Sequence, residues 1–210
     1  MPVIRTTLLQ GYSSPEQRTE LAKRLADTLV DIYGEVIRLQ INSIVDEVPP
    51  GDWLIGGMVP DAELVARSSL VTQEYFAKRV TRKRVEAAYT ALTNGDRATI
   101  EEYWDQDMAW VVPGESQVSG MKKGLDEFLS FMNIIRELSG NSFVMERYDI
   151  LVSRDWTVDL SHNTATRAGY PDRKLSIDVA HVLQWCDGKV VQGRGAIFNT
   201  GTTEYNKFWE

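Results

Sequence analysis

One cysteine, Cys186, stands among 210 residues, so no disulfide can close within the chain, and a reducing compartment fits. Histidine is almost as scarce. His162 and His181 lie too far apart for a local metal pair, and neither an HExxH nor a CxxC motif occurs, so no metal and no other cofactor is expected. Long apolar runs are missing too: the stretch from Val179 to Trp185 is short and interrupted, which excludes a membrane-spanning helix. The start, Met1-Pro2-Val3-Ile4-Arg5, has neither the basic opening nor the apolar stretch of a secretory signal, and the expected location is cytoplasmic. Basic residues are outnumbered, with a net charge of −7, which argues against nucleic acid as a partner.

One local exception is Lys78-Arg79-Val80-Thr81-Arg82-Lys83-Arg84. It reads either as a solvated helix face with Glu74–Lys78 and Arg82–Glu86 pairs or as a surface that docks on acid. An apolar fraction of 43% with 25% charged residues is ordinary for a folded protein, and the length suits two small domains.

What is present begins with a strand, since residues 3–9 are β-branched or apolar. A helix start follows: Ser14 caps, Pro15 takes the first helical position and Gln17 completes a capping box. Leu21, Ala22, Leu25, Ala26, Leu29, Val30 and Tyr33 then recur on one helical face, until Gly34 stops the helix. Residues 36–45 alternate, with Ile37, Leu39 and Ile41 on one side, which predicts a second strand parallel to the first. A lone β-α-β unit leaves its sheet edges open and its apolar surface uncovered. A homo-oligomer, a trimer or hexamer, is therefore expected.

Pro2 behind the initiator, Leu9-Gln10-Gly11, the Ser-rich cap and the closing Trp53-Leu54-Ile55-Gly56-Gly57 give residues 1–60 a resemblance to 4-oxalocrotonate tautomerase. The resemblance implies removal of Met1 and a catalytic base at the exposed amine of Pro2. An apolar pocket disfavours the protonated amine and brings such a base into its working range. An incidental proline is the competing reading. The same resemblance places Tyr12 and Gln40 where the family offers arginines that grip substrate carboxylates, which argues against a dicarboxylate substrate. Arg38 shares a face with Gln40, two residues away. Trp53, after Pro49-Pro50-Gly51, matches the pocket's aromatic wall or else packs an oligomer.

Residues 61–71 read as a linker, and 72–210 as a second domain. A helix is predicted over 72–94, with Phe76, Val80, Ala87, Ala88 and Leu92 inward and a stop at Asn94-Gly95. Asp96 caps a shorter helix that runs to about Trp104, and a strand covers 108–112. A helix over 121–138 is followed by antiparallel strands at about 143–153, 156–168, 174–186 and 189–199, with turns at Tyr170-Pro171-Asp172 and Asp187-Gly188. The fold class is α+β in both halves.

Ala109-Trp110-Val111-Val112-Pro113-Gly114, Gly124 and the run from His181 through Asp187-Gly188 to Val191 resemble the SnoaL-like branch of the nuclear transport factor 2-like superfamily. That resemblance implies a cone of helices and curved sheet around an apolar pocket. The superfamily includes ketosteroid isomerase-like enzymes, cyclases, epoxide hydrolases and non-enzymatic binders. Strand alternation sets Ile177, Val179, His181, Leu183 and Trp185 on one face, so His181 is either a pocket catalyst or a core residue. Trp110 is pocket wall or core. Asn199 stands where several relatives carry an acid late in the last strand, which argues against a cyclase-type base there. The expected pocket ligand is uncharged and largely apolar.

Three functions stay open: a keto–enol tautomerase working through Pro2 on a small-molecule substrate, catalysis around His181, or a non-catalytic ligand binder.

Overall fold

Ser14 opens the first helix as its sequence foretells. Its hydroxyl accepts from the Gln17 amide at 3.2 Å, and the Gln17 side chain accepts from the Ser14 amide at 2.8 Å. In this computed structural model, which describes residues 1–94 and 96–210, the chain divides into two units, Met1–Lys78 and Arg79–Glu210. The first unit runs β1 (Val3–Leu9), α1 (Pro15–Tyr33), β2 (Asn42–Val48) and α2 (Ala62–Lys78). The two strands pair in parallel from Val3 opposite Asn42 to Leu9 opposite Val48.

Two expectations fail here. Glu35–Gln40 is a 3-10 helix, not the start of a strand, and β2 begins only at Asn42. The alternation of Ile37, Leu39 and Ile41 therefore buries no face, and Leu39 is 98% exposed. Electrostatics explain the turn. Arg38 bonds Glu35 three residues back, the neighbour spacing on a helical turn, and reaches Asp27 of α1 at 2.7 Å. Residues 61–71, read as a linker, belong largely to α2.

The second unit runs α3 (Arg82–Asn94), α4 (Arg97–Tyr103), β3 (Trp104–Val112), β4 (Gly120–Lys123), α5 (Gly124–Leu138), β5 (Val144–Val152), β6 (Trp156–Arg167), β7 (Tyr170–Cys186), β8 (Lys189–Ile197) and α6 (Gly201–Trp209). The single helix expected over 72–94 is thus two, α2 and α3. Thr81 supplies the restart, because its hydroxyl accepts from the Arg84 amide at 3.1 Å. The expected stop at Asn94-Gly95 involves Gly95, which lies outside the described residues. The basic run 78–84 straddles the break. Lys78 pairs Glu74 at 2.8 Å as expected, but Arg82 pairs Asp149 of β5 rather than Glu86, and Arg84 donates to the Gly188 carbonyl at 2.7 Å.

The six strands form one sheet in the order β4-β3-β8-β7-β6-β5, antiparallel except for β3 against β8. Register shifts at Arg147/Asp149, Thr166/Arg167 and Gln184/Trp185 bend it, since an extra residue on one strand increases local twist. Asp187 and Gly188 both take positive φ, 48° and 78°, as a two-residue hairpin between right-twisted strands requires. The preceding turn falls at Ala168-Gly169, and Tyr170-Pro171-Asp172 is already strand. Strand β4 and helix α6 were not anticipated. Helix α6 buries Tyr205, Phe208 and Trp209 at i, i+3 and i+4 spacing, one short amphipathic face.

The core lies in this second unit. Trp104 stacks on Phe128 at 5.3 Å between centroids, Trp110 meets Phe128 at 4.9 Å, and the Trp104 indole donates to the Ala88 carbonyl at 2.8 Å. Gly193 of β8 makes room for this cluster. A Cβ there would stand 2.2 Å from the Trp110 ring.

Candidate functional site

In the first unit, Pro2 precedes β1 and is half-buried, and its carbonyl accepts from the Asn42 amide at 3.1 Å. Gln40 ends the 3-10 turn just before β2 and is exposed, so it shares the Pro2 end of the strand pair. Tyr12 follows the other end of β1, its amide donating to the Leu9 carbonyl at 3.1 Å, and it is 38% exposed. The seven residues of β1 hold Pro2 and Tyr12 apart by roughly 20 Å or more, at about 3.3 Å per residue. Trp53, half-buried, comes after the same far end, beyond Val48 and a short turn at Pro50–Asp52. Of the four residues read from the sequence, one strand pair therefore brings Pro2 together with Gln40 but sets Tyr12 at its opposite end. Arg38 is engaged by Glu35 and Asp27 and lies in the turn rather than in a strand.

In the second unit a cavity of about 500 Å³ opens between the helices and the concave face of the sheet. That volume is ordinary for a small-molecule site. Its walls are mostly aromatic and aliphatic: Trp110 and Ile197 from the sheet, Phe128, Phe131 and Met132 from α5, Tyr205 and Trp209 from α6. His181 lines it beside Ile177 and Val179, as strand alternation predicts, and its ring lies 5.5 Å from that of Trp110. Leu183 and Trp185 do not line the cavity. They are packed beneath it, with the Trp185 indole donating to the Thr157 hydroxyl at 2.9 Å. Trp110 proves to be core and wall at once, being 5% exposed. Asn199 is placed elsewhere. It sits at φ 54° in the exposed turn between β8 and α6, and the last strand's residues at the cavity are Gly195 and Ile197.

The residue that sequence reasoning missed is Asp159. Strand β6 buries Thr157, Asp159, Ser161 and Asn163 and turns Val158, Leu160 and His162 the other way, the reverse of a simple hydrophobicity rule. The period-2 signal was visible, but its buried set is the polar one. Asp159 is wholly buried and pairs in register with His181 on β7. Arg147 of β5 sets its Nε 3.0 Å from both Asp159 carboxylate oxygens, and its guanidinium lies 4.3 Å over the Tyr89 ring. The His181 Nδ1 stands 3.8 Å from Asp159 Oδ2, in Coulombic reach but beyond a hydrogen bond. Burial pushes the Asp159 carboxyl up, yet the adjoining His181 ring and Arg147 guanidinium outweigh it and hold it below the usual carboxylate range. Tyr89 moves the other way. Burial, reinforced by the Asp159 charge, pushes its phenol well above the ordinary value.

His162, by contrast, projects from the convex face, where it bonds Asp178 at 2.8 Å and Ser176 at 3.1 Å. Cys186 is a free, exposed thiol beside the Asp187-Gly188 turn. Among the described residues, no helix is long and apolar enough to cross a membrane.

Comparison with known proteins agrees with the division of the chain. Residues 2–63 match the family model described as tautomerase enzyme, and residues 85–193 match that of the SnoaL-like domain. Among solved structures, Bal32a from a soil-derived mobile gene cassette is similar at 26% identity and a TM-score of 0.55, over 61% of this chain and 95% of its own. A cystatin-like-fold protein of unknown function from Xanthomonas campestris is similar at 25% identity and a TM-score of 0.53, over 60% of this chain and 95% of its own. An NTF2-like protein from Burkholderia xenovorans LB400 shares 15% identity at a TM-score of 0.51, over 64% and 96% of the two chains. No curated protein matches the sequence.

Proposed function

The chain belongs to the SnoaL-like family and carries a tautomerase domain ahead of it, and from that premise we propose that it is an isomerase that shifts a proton on a small carbonyl compound, with the Pro2 amine as base. The two domains support isomerase-type activity in general. The observation that favours Pro2 is its position: the tautomerase match opens at residue 2, on the proline itself.

Removal of Met1 turns an amide nitrogen, which has no basicity to offer, into a secondary amine. That amine takes a proton from the carbon next to a carbonyl, which leaves an enolate, and the protonated amine returns it to the enolate at another atom. Gln40 follows at the same end of the strand pair. Tyr12 and Trp53 belong to the other end, so in this proposal they complete the pocket of a neighbouring copy. Such sharing gives the homo-oligomer a catalytic reason besides its structural one.

The test is ketonisation of an arylpyruvate enol, together with the intact mass of the purified protein. Loss of one methionine and a rate at least about a hundredfold lower in Pro2→Ala are expected, the usual range for removing a general base. A retained Met1 in fully active protein sinks the assignment.

A second reading rests on a separate observation, the buried Asp159 beside His181 at the wall of the 500 Å³ cavity. With Nδ1 turned toward the carboxylate, the ring's other nitrogen is the one offered to a ligand for proton transfer. Any turnover that survives Pro2→Ala is then expected to vanish in His181→Gln with the fold intact by circular dichroism. A persisting rate removes His181 from the chemistry.

A further inference from the structure

The cavity is less neutral than its apolar walls suggest. Four of its lining residues, Tyr89, Asn163, His181 and Trp209, each carry a buried polar atom that finds no hydrogen-bond partner among the described residues. Unpartnered buried polar atoms are costly and uncommon; the one on His181 is Nδ1, which faces Asp159, while the Tyr89 hydroxyl, Asn163 Oδ1 and Trp209 Nε1 give the wall hydrogen-bonding capacity to spare. Arg147 is a further polar residue of the wall. It lines the same cavity, and only its Nε is engaged, by Asp159. Its two terminal nitrogens make no hydrogen bond among the described residues, which leaves four N–H donors on a guanidinium fixed from both sides.

We infer that the cavity of the second unit holds an oxyanion site, in which the terminal guanidinium nitrogens of Arg147 receive the carboxylate or enolate oxygen of an otherwise apolar, ring-sized ligand. The inference rests on the reading of this cavity as a ligand site and corrects the expectation of an uncharged ligand. Arginine suits the role because its donors match two oxygens at once, and because it keeps its charge when buried. Asp159 holds the fork at a fixed angle rather than consuming it, since it takes only Nε. Tyr89 and Trp209 add neutral donors, the phenol staying protonated in its buried setting. Asn163 Oδ1 accepts from a hydroxyl on the ligand. The apolar walls keep water away and so strengthen each of these contacts.

The probes are 2-naphthoate and its neutral isostere 2-naphthamide, with binding followed by quenching of tryptophan fluorescence, because Trp110 and Trp209 line the cavity. The expected result is that both bind competitively and the naphthoate binds about tenfold tighter or more, in keeping with hydrogen bonds to a charged group. That advantage should disappear in Arg147→Gln. Because this variant leaves Asp159 unpaired, the double change Arg147→Gln/Asp159→Asn serves as the folded control. It replaces both charges with amides that still bond one another. Equal affinity for the two probes in the wild-type protein overturns the oxyanion site while leaving the cavity reading in place, as does an advantage that survives the double change. Failure of both probes to quench ends the cavity reading and the inference with it.

Discussion

The two units of this chain solve the problem of burying apolar surface in opposite ways. In the first, Leu9 and Val30 are the only apolar side chains among the described residues that count as buried, while Val36, Leu39, Leu54, Ile55, Met58, Leu70 and Tyr75 are exposed. In the second, Trp104, Trp209, Phe208, Leu125 and Leu183 are essentially inaccessible. At about 25 cal/mol per Å² of apolar surface removed from water, a unit that buries so little has scant means to offset its own conformational entropy. A two-stranded sheet with one helix across it adds open edges to the deficit. The second unit has its driving force inside one chain; the first unit's must come from surface it has yet to cover. That contrast is why the homo-oligomer belongs to the proposed function, in which candidate residues from the two ends of the strand pair meet between copies.

The comparison is broken most decisively by truncating a side chain in each unit. Trp104→Ala is expected to cost about 3–5 kcal/mol in the melting of the second unit, the range for removing a buried large aromatic. Leu39→Glu, at a residue 98% exposed, is expected to change that melting by no more than about 0.5 kcal/mol. Its effect should appear in light scattering instead, as a fall from the proposed trimer or hexamer to a smaller species. Wild-type protein that scatters as a monomer at micromolar concentration would falsify the assembly.

What the sequence made legible follows the same divide between local and long-range causes. Local chemistry was readable: the Ser14–Gln17 capping box, the Asp187-Gly188 hairpin and the Gly34 stop stand where the residues placed them. The 3-10 segment at Glu35–Gln40 was misread because strand alternation and a short helical turn differ little over six residues, and the Arg38–Asp27 contact that decides between them spans eleven positions. Helix α6 was missed because nine residues ending in Phe208-Trp209 carry too few turns for periodicity to stand out. At the candidate site, His181 was found by alternation on β7. Asp159 was not, because no rule read along one strand says that its polar set faces inward. Only the arrival of Arg147 from β5 and His181 from β7 makes that burial tolerable.

Asp159 also gives the gentlest test of the contrast, through acid. Its carboxyl is held below the ordinary value in the folded protein, so it binds a proton more weakly there than in the unfolded chain. The stabilisation this brings is fully present above the unfolded value of about 4 and is lost as pH falls through the lower folded value. Between pH 7 and pH 5 the melting of the second unit should therefore be indifferent to this group, and below about pH 4 it should decline. In Asp159→Asn the protein starts less stable by about 3 kcal/mol, because the half-buried Arg147 has lost its counter-charge. Its acid slope should then be shallower than the wild-type slope over that same low range. The exposed pairs of the first unit, such as Arg5 with Asp46 at 2.9 Å, are screened by water, and breaking them by Asp46→Asn should leave the slope unaltered. Equal acid slopes in wild type and Asp159→Asn would show that the carboxylate is already protonated in the folded cavity, and the Arg147–Asp159 pair would no longer be a charged one.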